Sequence, residues 1–522
     1  MFKDKKLLSI LGLSFISFFS TIWIRKADLM ESRNFITARE IVFNNEWLVT
    51  TLNGQYRFEK PPLPTWFTAA VMKISNNFSD EWILRLPVAL VSVLLIFFIY
   101  RFVQELSDNK NLPFLVSFVA ATTFMITKVG SENAWDAYPY IFMFGSITYL
   151  LKSINSKRTF SLLFASILLA ASLLSKGPVA IYGMFLPFVI SYIWVYKLKK
   201  ILENRRRIIL YVLIGLILAS IWPIAMILEN KELFFSVMNK EKNTWTSKHV
   251  KSFFFYFNYF YFMGIWIFFS IITFFKKWNL KNSEENRLFK FGTLWSILTF
   301  LLLSFIKMKK ERYGFPIYVV SSIPIGIILN YYINSDWNLL KKSDKVLFYI
   351  QATLITILSI GSVGLIFWKK PNFYYLTIPF FILLVYLFKD RLIDKKNFKK
   401  KVIYLSGFLL LIVNCNLTWI IENEIRNKNS SNLIPLETLQ KNNKLFHIYS
   451  KDFTIEDVWS VGQNIHFLDD NTILPEKFYI LSKNSKFDLK NNYKIEYKET
   501  YSRFKDDDDL IYIYKVINNS KR

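Results

Sequence analysis

Two acids in a polar stretch near the N-terminus, residues 26–66, are the first residues whose types and spacing could do chemistry. Asp28 and Glu31 are three residues apart, so a helix that begins there would place both carboxylates on one face. Asp28 follows an apolar segment, and a carboxylate at a membrane boundary is partly desolvated, which suits it to general-base chemistry. Aspartate is also a common helix N-cap, and for this residue taken alone capping is the better interpretation.

A second pair, Glu59 and Lys60, stands directly before two consecutive prolines in the sequence Phe-Glu-Lys-Pro-Pro-Leu. Prolines stiffen the chain, and the residue before a proline is held extended, so an acid and a base are presented side by side. Lys60 is a compact cation that suits a phosphate, while Glu59 could ligate a metal or orient the lysine. The alternative is an ordinary turn at the membrane surface that is held by an ion pair.

Further candidates lie in connections between apolar segments. Asp136 ends a short polar connection and is the acid that could join the first pair. Lys176 lies at a helix end, where it could bind phosphate or simply extend its ammonium group to the membrane surface. His249 belongs to the charged connection 229–252, which runs into a very aromatic segment. Acids and cations near a bilayer surface predict a substrate with an anionic head and a greasy tail, such as a lipid-linked sugar phosphate.

Composition and the spacing of apolar residues predict an all-α polytopic membrane protein around these candidates. Of the 522 residues, 53% are hydrophobic and 18% are aromatic, which is too apolar for an ordinary soluble protein. We predict about thirteen transmembrane spans, each close to the ~20 residues that a bilayer requires. The predicted spans are residues 7–24, 82–103, 112–127, 137–151, 160–174, 178–196, 208–228, 253–275, 289–306, 314–333, 346–368, 373–388 and 402–421.

The distribution of basic residues gives the predicted orientation. Lysine and arginine number 66 against 39 acids, and the formal net charge is +27. The basic residues cluster in every second connection, as the positive-inside rule requires of the cytoplasmic face, and this pattern argues against nucleic-acid binding. The polar connections described above and the C-terminal tail then face outside. One outer loop, residues 307–312, carries four cations, and we interpret this exception as a sign of a local anionic partner.

The composition changes after residue 421, which predicts a second domain. Residues 1–421 form the predicted transmembrane domain, with residues 26–81 as its first outer loop. Residues 422–522 are polar with short alternating runs, which predicts a small extracytoplasmic α/β domain. The predicted elements are strands at 445–449, 465–468, 478–481, 493–497 and 510–514 and a helix at 434–440. The four acids at 506–509 fit a solvated turn better than a cation site, and the single Cys415 excludes a disulfide framework.

Several short motifs, taken in chain order, resemble the GT-C superfamily of polyprenyl-phosphate-sugar-dependent glycosyltransferases. More narrowly, the chain is similar to the bacterial lipid A aminoarabinose transferases and to relatives of the protein O-mannosyltransferases. The number of predicted spans and the small outer C-terminal domain agree with the aminoarabinose transferases. The motifs are DLME at 28–31, RE at 39–40, WL at 47–48, NG at 53–54, FEKPPL at 58–63, Trp66, RLP at 85–87, NAWD at 133–136, SKGP at 175–178, KERY at 310–313 and Pro316.

The resemblance implies an inverting transfer from a polyprenyl-phosphate-linked sugar on the outer side of the membrane. It gives Asp28 the place of the first-loop acid and Asp136 that of a second acid, and Lys60 that of a phosphate-binding lysine. Together with the candidates above, the predicted catalytic residues are Asp28, Glu31 and Asp136. The predicted donor-phosphate ligands are Lys60, Lys176, Lys310, Arg312 and Tyr313.

A divalent metal ion is the one cofactor that the resemblance raises, because Glu59 takes the position of a metal-ligating glutamate in the aminoarabinose enzymes. Those enzymes carry a pattern like E-H-x-x-R before the aromatic span, whereas this chain has Glu-Lys-Asn-Thr-Trp at 241–245. The histidine and the arginine of that pattern are missing at the matching spacing. His249 is the candidate to replace the metal ligand, and Lys242 or Lys248 the phosphate ligand.

The predicted function is therefore sugar transfer in a bacterial cytoplasmic membrane, with the site and the C-terminal domain facing the periplasm. A cell-envelope glycolipid such as lipid A or lipopolysaccharide is the favoured acceptor, and a protein hydroxyl is the alternative. A flippase for the same lipid would need charges near the bilayer midplane and related halves with broken helices. The charges here cluster outside the spans and no internal repeat is visible, which favours the transferase.

Overall fold

The computed structural model describes residues 4–278, 280–369, 371–389, 395–427, 434–436, 438–442, 447–469, 472–485, 493–502 and 510–518. The chain divides into two compact units. The first unit comprises Met1–Trp23, Phe58–Pro64 and Arg85–Ile420, and the second comprises Ile24–Arg57, Thr65–Leu84 and Ile421–Arg522. Each unit is therefore assembled from segments that are far apart in sequence.

The first unit is helical, and every predicted span overlaps with helix. Its α-helices are Lys5–Phe19, Leu86–Leu106, Leu112–Ala121, Phe124–Gly130, Tyr138–Ser156, Thr159–Lys176, Leu186–Tyr196, Lys199–Glu203, Arg205–Ser247, Tyr259–Phe262, Ile267–Phe275, Ser283–Phe305, Phe315–Asn334, Lys342–Lys369, Ile378–Lys389 and Lys395–Asn427. Tighter or wider turns cover Ile181–Phe185, Phe253–Asn258, Gly264–Trp266, Glu311–Gly314 and Pro371–Thr377.

Judged by helix length and composition, the structure has fewer candidate membrane spans than the sequence predicted. Among the described residues, seven helices are long and apolar enough to cross a membrane, or up to nine if each of two bent pairs counts as one span. The helix Lys5–Phe19 has 15 residues and is short against the ~20 that a bilayer requires. The multi-pass membrane class is thus confirmed, and the figure of about thirteen stays a prediction.

Two of the predicted straight spans are bent. Helix Leu112–Ala121 turns by 66° into Phe124–Gly130, and Phe253–Phe262 turns by 97° into Gly264–Phe275. Gly264 has φ = 63°, a conformation that only glycine adopts without strain, and this explains the second bend. At the first bend the Thr122 hydroxyl donates back to Phe118 O, and the Trp266 indole donates to Thr122 O over 3.0 Å. The Thr122 carbonyl at the first bend is therefore hydrogen-bonded by the Trp266 side chain from the second bend.

The long helix Arg205–Ser247 corrects a predicted boundary. The sequence predicted a span that ends at 228 and an outer loop at 229–252, but the chain remains helical to Ser247. Asn230 alone departs from helical geometry, with φ = −154° and ψ = 89°, and its side chain accepts a hydrogen bond from Leu233 N at 3.0 Å. Asn230 therefore ends one helix and caps the next, which carries the charged residues of this segment.

The second unit contains a six-stranded mixed sheet. Its spatial order is Ile434–Pro435, Tyr493–Ser502, Leu510–Asn518, Lys477–Ser482, Ile448–Ser450 and Ile465–Phe467. The strands predicted at 465–468, 478–481, 493–497 and 510–514 are confirmed, and of 445–449 the described part pairs from Ile448 onward. The predicted helix at 434–440 is wrong at its start, because Ile434 and Pro435 pair with strand Tyr493–Ser502 and the helix begins at Thr438. The acids at 506–509 lie outside the described residues.

N-terminal segments complete the core of this unit. The helices are Leu29–Asn44, Leu63–Ser75, Glu81–Leu84, Thr438–Asn442 and Ile455–Val461. Phe35 packs on Trp459 with ring centroids 5.1 Å apart, and both side chains are buried. Much of the predicted first outer loop, residues 26–81, therefore shares one hydrophobic core with the C-terminal sheet. The domain boundary at residue 421 stays a prediction.

The Asn-Gly motif at 53–54 forms the tip of a small hairpin in the second unit. Asn53 has φ = 55° and Gly54 has φ = 76°, the pair of positive angles that a two-residue type I′ turn requires. The strands on either side are Thr51–Leu52 and Gln55–Tyr56. The Asn53 side chain exchanges hydrogen bonds of 2.8 and 2.9 Å with the backbone of Ile465. This motif therefore has a structural role.

Close packing of helices in the first unit gives a stability prediction. A Cβ atom at Gly326 would lie 2.7 Å from Val116 Cα and 2.9 Å from Val116 N, and backbone atoms cannot move aside as a flexible side chain can. We expect Gly326→Ala to lower the free energy of unfolding by about 1–3 kcal/mol. Thermal unfolding of the detergent-purified protein measures the change.

Gly361→Ala is the matched control, because Gly361 is also helical and nothing lies within 4 Å of its would-be Cβ. This variant should be neutral or more stable, since alanine is favoured over glycine in a helix by about 1 kcal/mol. Equal effects of the two substitutions would contradict the close contact at Gly326.

Candidate active site

Asp136 lies at the centre of a group of charged residues in the first unit. It stands just before the helix Tyr138–Ser156, and its side chain is only 4% exposed. Lys176 donates a hydrogen bond to Asp136 Oδ1, and Arg312 Nη1 lies 3.6 Å from Asp136 Oδ2. A buried carboxylate is therefore bound on both oxygens by cations that come from two distant segments.

The local backbone explains how these cations reach Asp136. Lys176 is the last residue of helix Thr159–Lys176, which ends there because Gly177 takes φ = 68°. Arg312 belongs to the short turn Glu311–Gly314, which immediately precedes helix Phe315–Asn334. Both cations thus project from the ends of helices, where the chain leaves the apolar part of the unit.

The electrostatic balance keeps Asp136 ionised. Burial by itself would raise the pKa of Asp136, but Lys176, Arg312 and the more distant Lys60 together hold that pKa below its usual range. A lowered pKa means that the ion pairs stabilise the fold above the ordinary pKa of an aspartate. That stabilisation is lost as the pH falls through the lowered value.

Tyr313 supports the cations from one side. Lys176 Nζ lies 4.2 Å from the centroid of the Tyr313 ring, and Lys310 Nζ lies 6.0 Å from it, so both make cation–π contacts. The turn that carries Tyr313 packs closely on Tyr256, because a Cβ at Gly314 would lie 3.2 Å from the Tyr256 ring. The motif predicted at 310–313 is therefore one structural element of the site.

Lys60 is paired with an acid that the sequence did not indicate. Lys60 Nζ lies 3.2 Å from Glu241 Oε2, and the two side chains are 21% and 28% exposed. Glu241 comes from the helical segment that follows Asn230. Glu241 was not predicted as a site residue, because nothing in the local sequence distinguishes it from the other charged residues of this segment. It does stand first in the segment 241–245, which was compared above with the E-H-x-x-R pattern. Glu59, the neighbour of Lys60, is half-buried.

We refer to these residues together as the Asp136 cluster: Lys60, Asp136, Lys176, Glu241, Lys310, Arg312 and Tyr313. Four cations face two carboxylates in it, so positive charge is in excess. Desolvated cations with a surplus of positive charge attract an anion, and a phosphate group has the matching charge and size. The cluster can therefore hold the phosphate of a lipid head group.

The basic loop at 307–312 pairs with the segment that contains His249. Val250 and Met308 form an antiparallel bridge, and Lys309 N donates to His249 O over 3.1 Å. Lys309 itself is 3% exposed and its ammonium donates to Lys251 O. The sequence predicted an anionic partner for this loop, and for Arg312 that partner is Asp136 of the same chain.

The metal prediction finds little support in side-chain geometry. Among the residues that the structure describes, no three His, Cys, Asp or Glu side chains come together as a metal site would require. His249 is exposed and has a positive φ of 51°. Glu59 and His249 remain predicted ligands.

Asp28 and Glu31 lie in the second unit, at the start of helix Leu29–Asn44. Asp28 is the N-cap, because its Oδ1 accepts hydrogen bonds from Met30 N at 2.9 Å and Glu31 N at 2.8 Å. Glu31 is buried in the first turn, where a carboxylate is favoured by the helix dipole. The capping interpretation of Asp28 is thus confirmed, and its catalytic role stays a prediction.

Part of the chain is similar to a described family. Residues 59–224 match the model of the dolichyl-phosphate-mannose-protein mannosyltransferase family. That range includes Glu59, Lys60, Asp136 and Lys176.

Relatives in sequence extend the likeness. A protein of Aquifex aeolicus described as uncharacterized is 26% identical over 383 residues, 72% of this chain and 72% of the relative. An undecaprenyl phosphate-alpha-4-amino-4-deoxy-L-arabinose arabinosyl transferase of Shewanella sediminis is 24% identical over 343 residues, 63% of this chain and 60% of the relative. The chain thus spans less than two thirds of the length of this transferase.

The whole fold has a counterpart among solved structures. The crystal structure of ArnT from Cupriavidus metallidurans bound to undecaprenyl phosphate superposes with a TM-score of 0.70 at 14% identity. The superposition covers 98% of this chain and 97% of that one. The predicted resemblance is confirmed by these matches together.

The buried ion pairs of Asp136 give the second prediction. We expect Asp136→Asn to lower the free energy of unfolding by roughly 3 kcal/mol, because the buried carboxylate would no longer pair with Lys176 and Arg312, which are themselves only 13% and 25% exposed. Chemical or thermal unfolding of the purified protein measures this loss.

Lys128→Ala serves as the control for this ion-pair prediction. Lys128 pairs with Glu311 at 3.8 Å, with side chains 33% and 49% exposed, so its loss should cost less than about 1 kcal/mol. If both variants were as stable as the unmodified protein, the Asp136 ion pairs would not contribute to the fold.

Proposed function

We propose that this chain, which shares the fold and sequence motifs of the GT-C polyprenyl-phosphate-sugar glycosyltransferases, transfers a sugar from a polyprenyl-phosphate-linked donor to a cell-envelope acceptor. The observation that carries the proposal is the Asp136 cluster, in which cations outnumber carboxylates around a buried aspartate. A sugar-transfer enzyme of this kind must stabilise a lipid phosphate as it leaves. The cluster supplies the charges for that task.

The cations act on the leaving group in this proposal. As the bond between the sugar and the phosphate oxygen breaks, negative charge develops on the lipid phosphate, and fixed cations stabilise that charge without reorganising. Lys60 and Lys310 supply ammonium donors, and Arg312 supplies a planar donor that can bind two phosphate oxygens. Because cations already bind the departing phosphate, the barrier to sugar transfer is lower.

Asp136 positions these donors. Its carboxylate fixes Lys176 and Arg312 and holds Lys176 against the Tyr313 ring. The pKa of Asp136 lies below its usual range, so it is a poor proton acceptor at neutral pH. We therefore assign Asp136 to orientation of the phosphate ligands and leave the acceptor chemistry to the first-loop acid.

Asp28 is the proposed acid at the acceptor. It occupies the position of the first-loop acid in the motif, with Glu31 close by in the same helix. If the acceptor is a hydroxyl, Asp28 removes its proton as the oxygen attacks the sugar. If the acceptor is a phosphate, no base is required and Asp28 orients the reacting groups.

The acceptor is proposed to be a glycolipid of the lipid A or lipopolysaccharide type. The arabinosyl transferase of Shewanella sediminis and the ArnT fold support this choice. The family description supports the second candidate, a protein hydroxyl, since the matched model is named for protein mannosyltransferases. Under either choice the positive-inside pattern supports a site on the periplasmic face of a bacterial cytoplasmic membrane.

A transfer assay tests the proposal directly. Purified protein is incubated with a panel of polyprenyl-phosphate sugars, and with either lipid A or a serine- and threonine-rich peptide as the acceptor. We expect release of polyprenyl phosphate together with labelled lipid A. Labelled peptide instead would select the protein acceptor, and no release from any donor would reject the proposed activity.

Lys60 is predicted to bind the donor phosphate. Lys60→Ala should weaken binding of undecaprenyl phosphate by about 10–100-fold, the range expected when a charged hydrogen bond is lost. Titration of the purified protein with the lipid measures the affinity.

Lys152→Ala is the matched control, because it also removes one lysine. Lys152 lies near the C-terminal end of helix Tyr138–Ser156, on the order of 20 Å along the helix from the end beside Asp136. It should leave the affinity for undecaprenyl phosphate unchanged. Unaltered donor affinity in Lys60→Ala would count against Lys60 as a phosphate ligand.

Asp28 offers a way to separate capping from chemistry. Asparagine caps a helix about as well as aspartate, so Asp28→Asn should keep the stability of the protein while sugar transfer falls by about 100-fold or more. Asp28→Ala should lose transfer and also about 1 kcal/mol of stability, because the cap is removed. Transfer by Asp28→Asn at the rate of the unmodified protein would remove Asp28 from the mechanism.

A further inference from the structure

A cavity of about 520 Å³ lies between two helices of the first unit, Leu186–Tyr196 and Ser283–Phe305. It is at the start of helix Ser283–Phe305, whereas the turn that carries Arg312 follows the other end of that helix. The volume falls within the ~300–1,000 Å³ that is usual for small-molecule sites. The lining residues are Trp194, Val195, Ser283, Asn286, Arg287, Lys290 and Leu294.

The lining residues of helix Ser283–Phe305 form one stripe that changes from polar to apolar. Residues three or four apart lie on the same face of a helix, and Ser283, Arg287, Lys290 and Leu294 are spaced in this way. Leu294 lies about 16 Å along the helix from Ser283. The two cations therefore lie between a polar end of the cavity and an apolar one, in the order of the head group and tails of a phospholipid.

The two cations of the lining keep their charge available to a ligand. Arg287 and Lys290 are exposed, and neither forms a salt bridge within the described part of the chain. The Arg287 guanidinium lies 6.0 Å from the centroid of the Tyr196 ring, which in turn packs on Phe291 with ring centroids 5.6 Å apart. Aromatic packing between the two helices thus supports the cation beside the cavity.

The acids of this helix do not line the cavity. Glu284 Oε1 accepts a hydrogen bond from Asp108 N at 2.8 Å, and Glu285 Oε1 accepts from Asn109 Nδ2 at 2.7 Å. Both carboxylates are therefore engaged by the segment that follows helix Leu86–Leu106. Even when the neighbouring Glu284 is counted, the two cations of the lining outnumber it, and the cavity presents positive charge.

The opposite wall is apolar. Trp194 is 80% exposed and Val195 lies beside it, in the last turn of helix Leu186–Tyr196. An exposed indole at a helix end is typical of the boundary between a membrane and water. Together with Leu294, this wall offers contacts to an acyl chain that a free phosphate ion does not use.

The predicted topology places the cavity where anionic lipids are recognised. The connections that adjoin it, 197–207 and 276–287, are two of the basic clusters predicted for the cytoplasmic face. Basic pockets between transmembrane helices on that side bind the head groups of anionic lipids. The surrounding cations therefore favour the same ligand as the lining does.

We propose that this cavity binds an anionic phospholipid of the membrane, with Arg287 and Lys290 holding its phosphate and the apolar residues of the lining contacting its acyl chains. The lipid is a bound structural partner and not a substrate. Its binding does not involve the Asp136 cluster, so it can be measured whether or not the protein transfers a sugar.

Lipid binding to the detergent-purified full-length protein tests the proposal. Native mass spectrometry measures the affinities for phosphatidylglycerol, which is anionic, and for phosphatidylethanolamine, whose ammonium group offsets its phosphate. We expect phosphatidylglycerol to bind at least about tenfold more tightly, because only its head group carries a net negative charge. Inorganic phosphate should not displace it, because phosphate makes no apolar contact.

A double variant, Arg287→Gln with Lys290→Gln, should lower the affinity for phosphatidylglycerol to that of phosphatidylethanolamine. The matched control is Lys341→Gln with Lys342→Gln, which removes two exposed cations from another basic connection. The control should bind phosphatidylglycerol as the unmodified protein does. An equal loss in both double variants would show general attraction by the basic face and overturn the proposal.

Trp194 reports where the lipid binds. Phosphatidylglycerol brominated on its acyl chains quenches indole fluorescence on contact, so it should quench the unmodified protein more strongly than Trp194→Phe. Phenylalanine keeps this wall of the cavity apolar, and the exposed position makes the substitution compatible with the fold. Equal quenching of the two proteins, equal affinities for the two lipids, or displacement of phosphatidylglycerol by phosphate would each overturn the proposal.

Discussion

A carboxylate buried among apolar helices must be met by cations, and the first unit satisfies this requirement for Asp136 from distant parts of the chain. Lys176 and Arg312 contact it directly, and Lys60 adds its charge from further away. Each partner lies at a helix end or in a short irregular segment. The ion pairs therefore require the helices to end where they do, and they join the segments that carry the donor-phosphate ligands.

Irregular backbone is the means by which helical segments supply such a site. At membrane depth, non-helical backbone is tolerated where protein buries it and satisfies its polar groups. The bends after Ala121 and at Gly264 meet this condition, because the Trp266 indole from one bend binds the Thr122 carbonyl at the other. Gly177 ends a helix at Lys176 in the same way, and the turn at Glu311–Gly314 delivers Arg312 and Tyr313.

How much of this could be predicted from sequence depends on the range of the interaction. Each apolar segment found by hydropathy contains helix, but hydropathy did not locate the helices Leu29–Asn44 and Leu63–Ser75. It also could not detect the bend at Gly264, because a glycine does not interrupt the hydropathy of an apolar run. The hydropathy pattern also predicted that a helix ends at residue 228. Hydropathy falls where apolar residues give way to charged ones, but the chain remains helical to Ser247. Asp136, Lys176 and Arg312 were chosen singly by residue type and motif, whereas their pairing and the Lys60–Glu241 contact are tertiary.

Stability alone does not account for clusters of this composition. Apolar residues of similar volume can often replace a buried ion pair without loss of stability, so four cations and two carboxylates are an expensive way to fill space. A surplus of positive charge adds to the cost, because like charges repel until an anion joins them. The missing negative charge is best supplied by a ligand, so the Asp136 cluster is better explained by binding than by packing of the core.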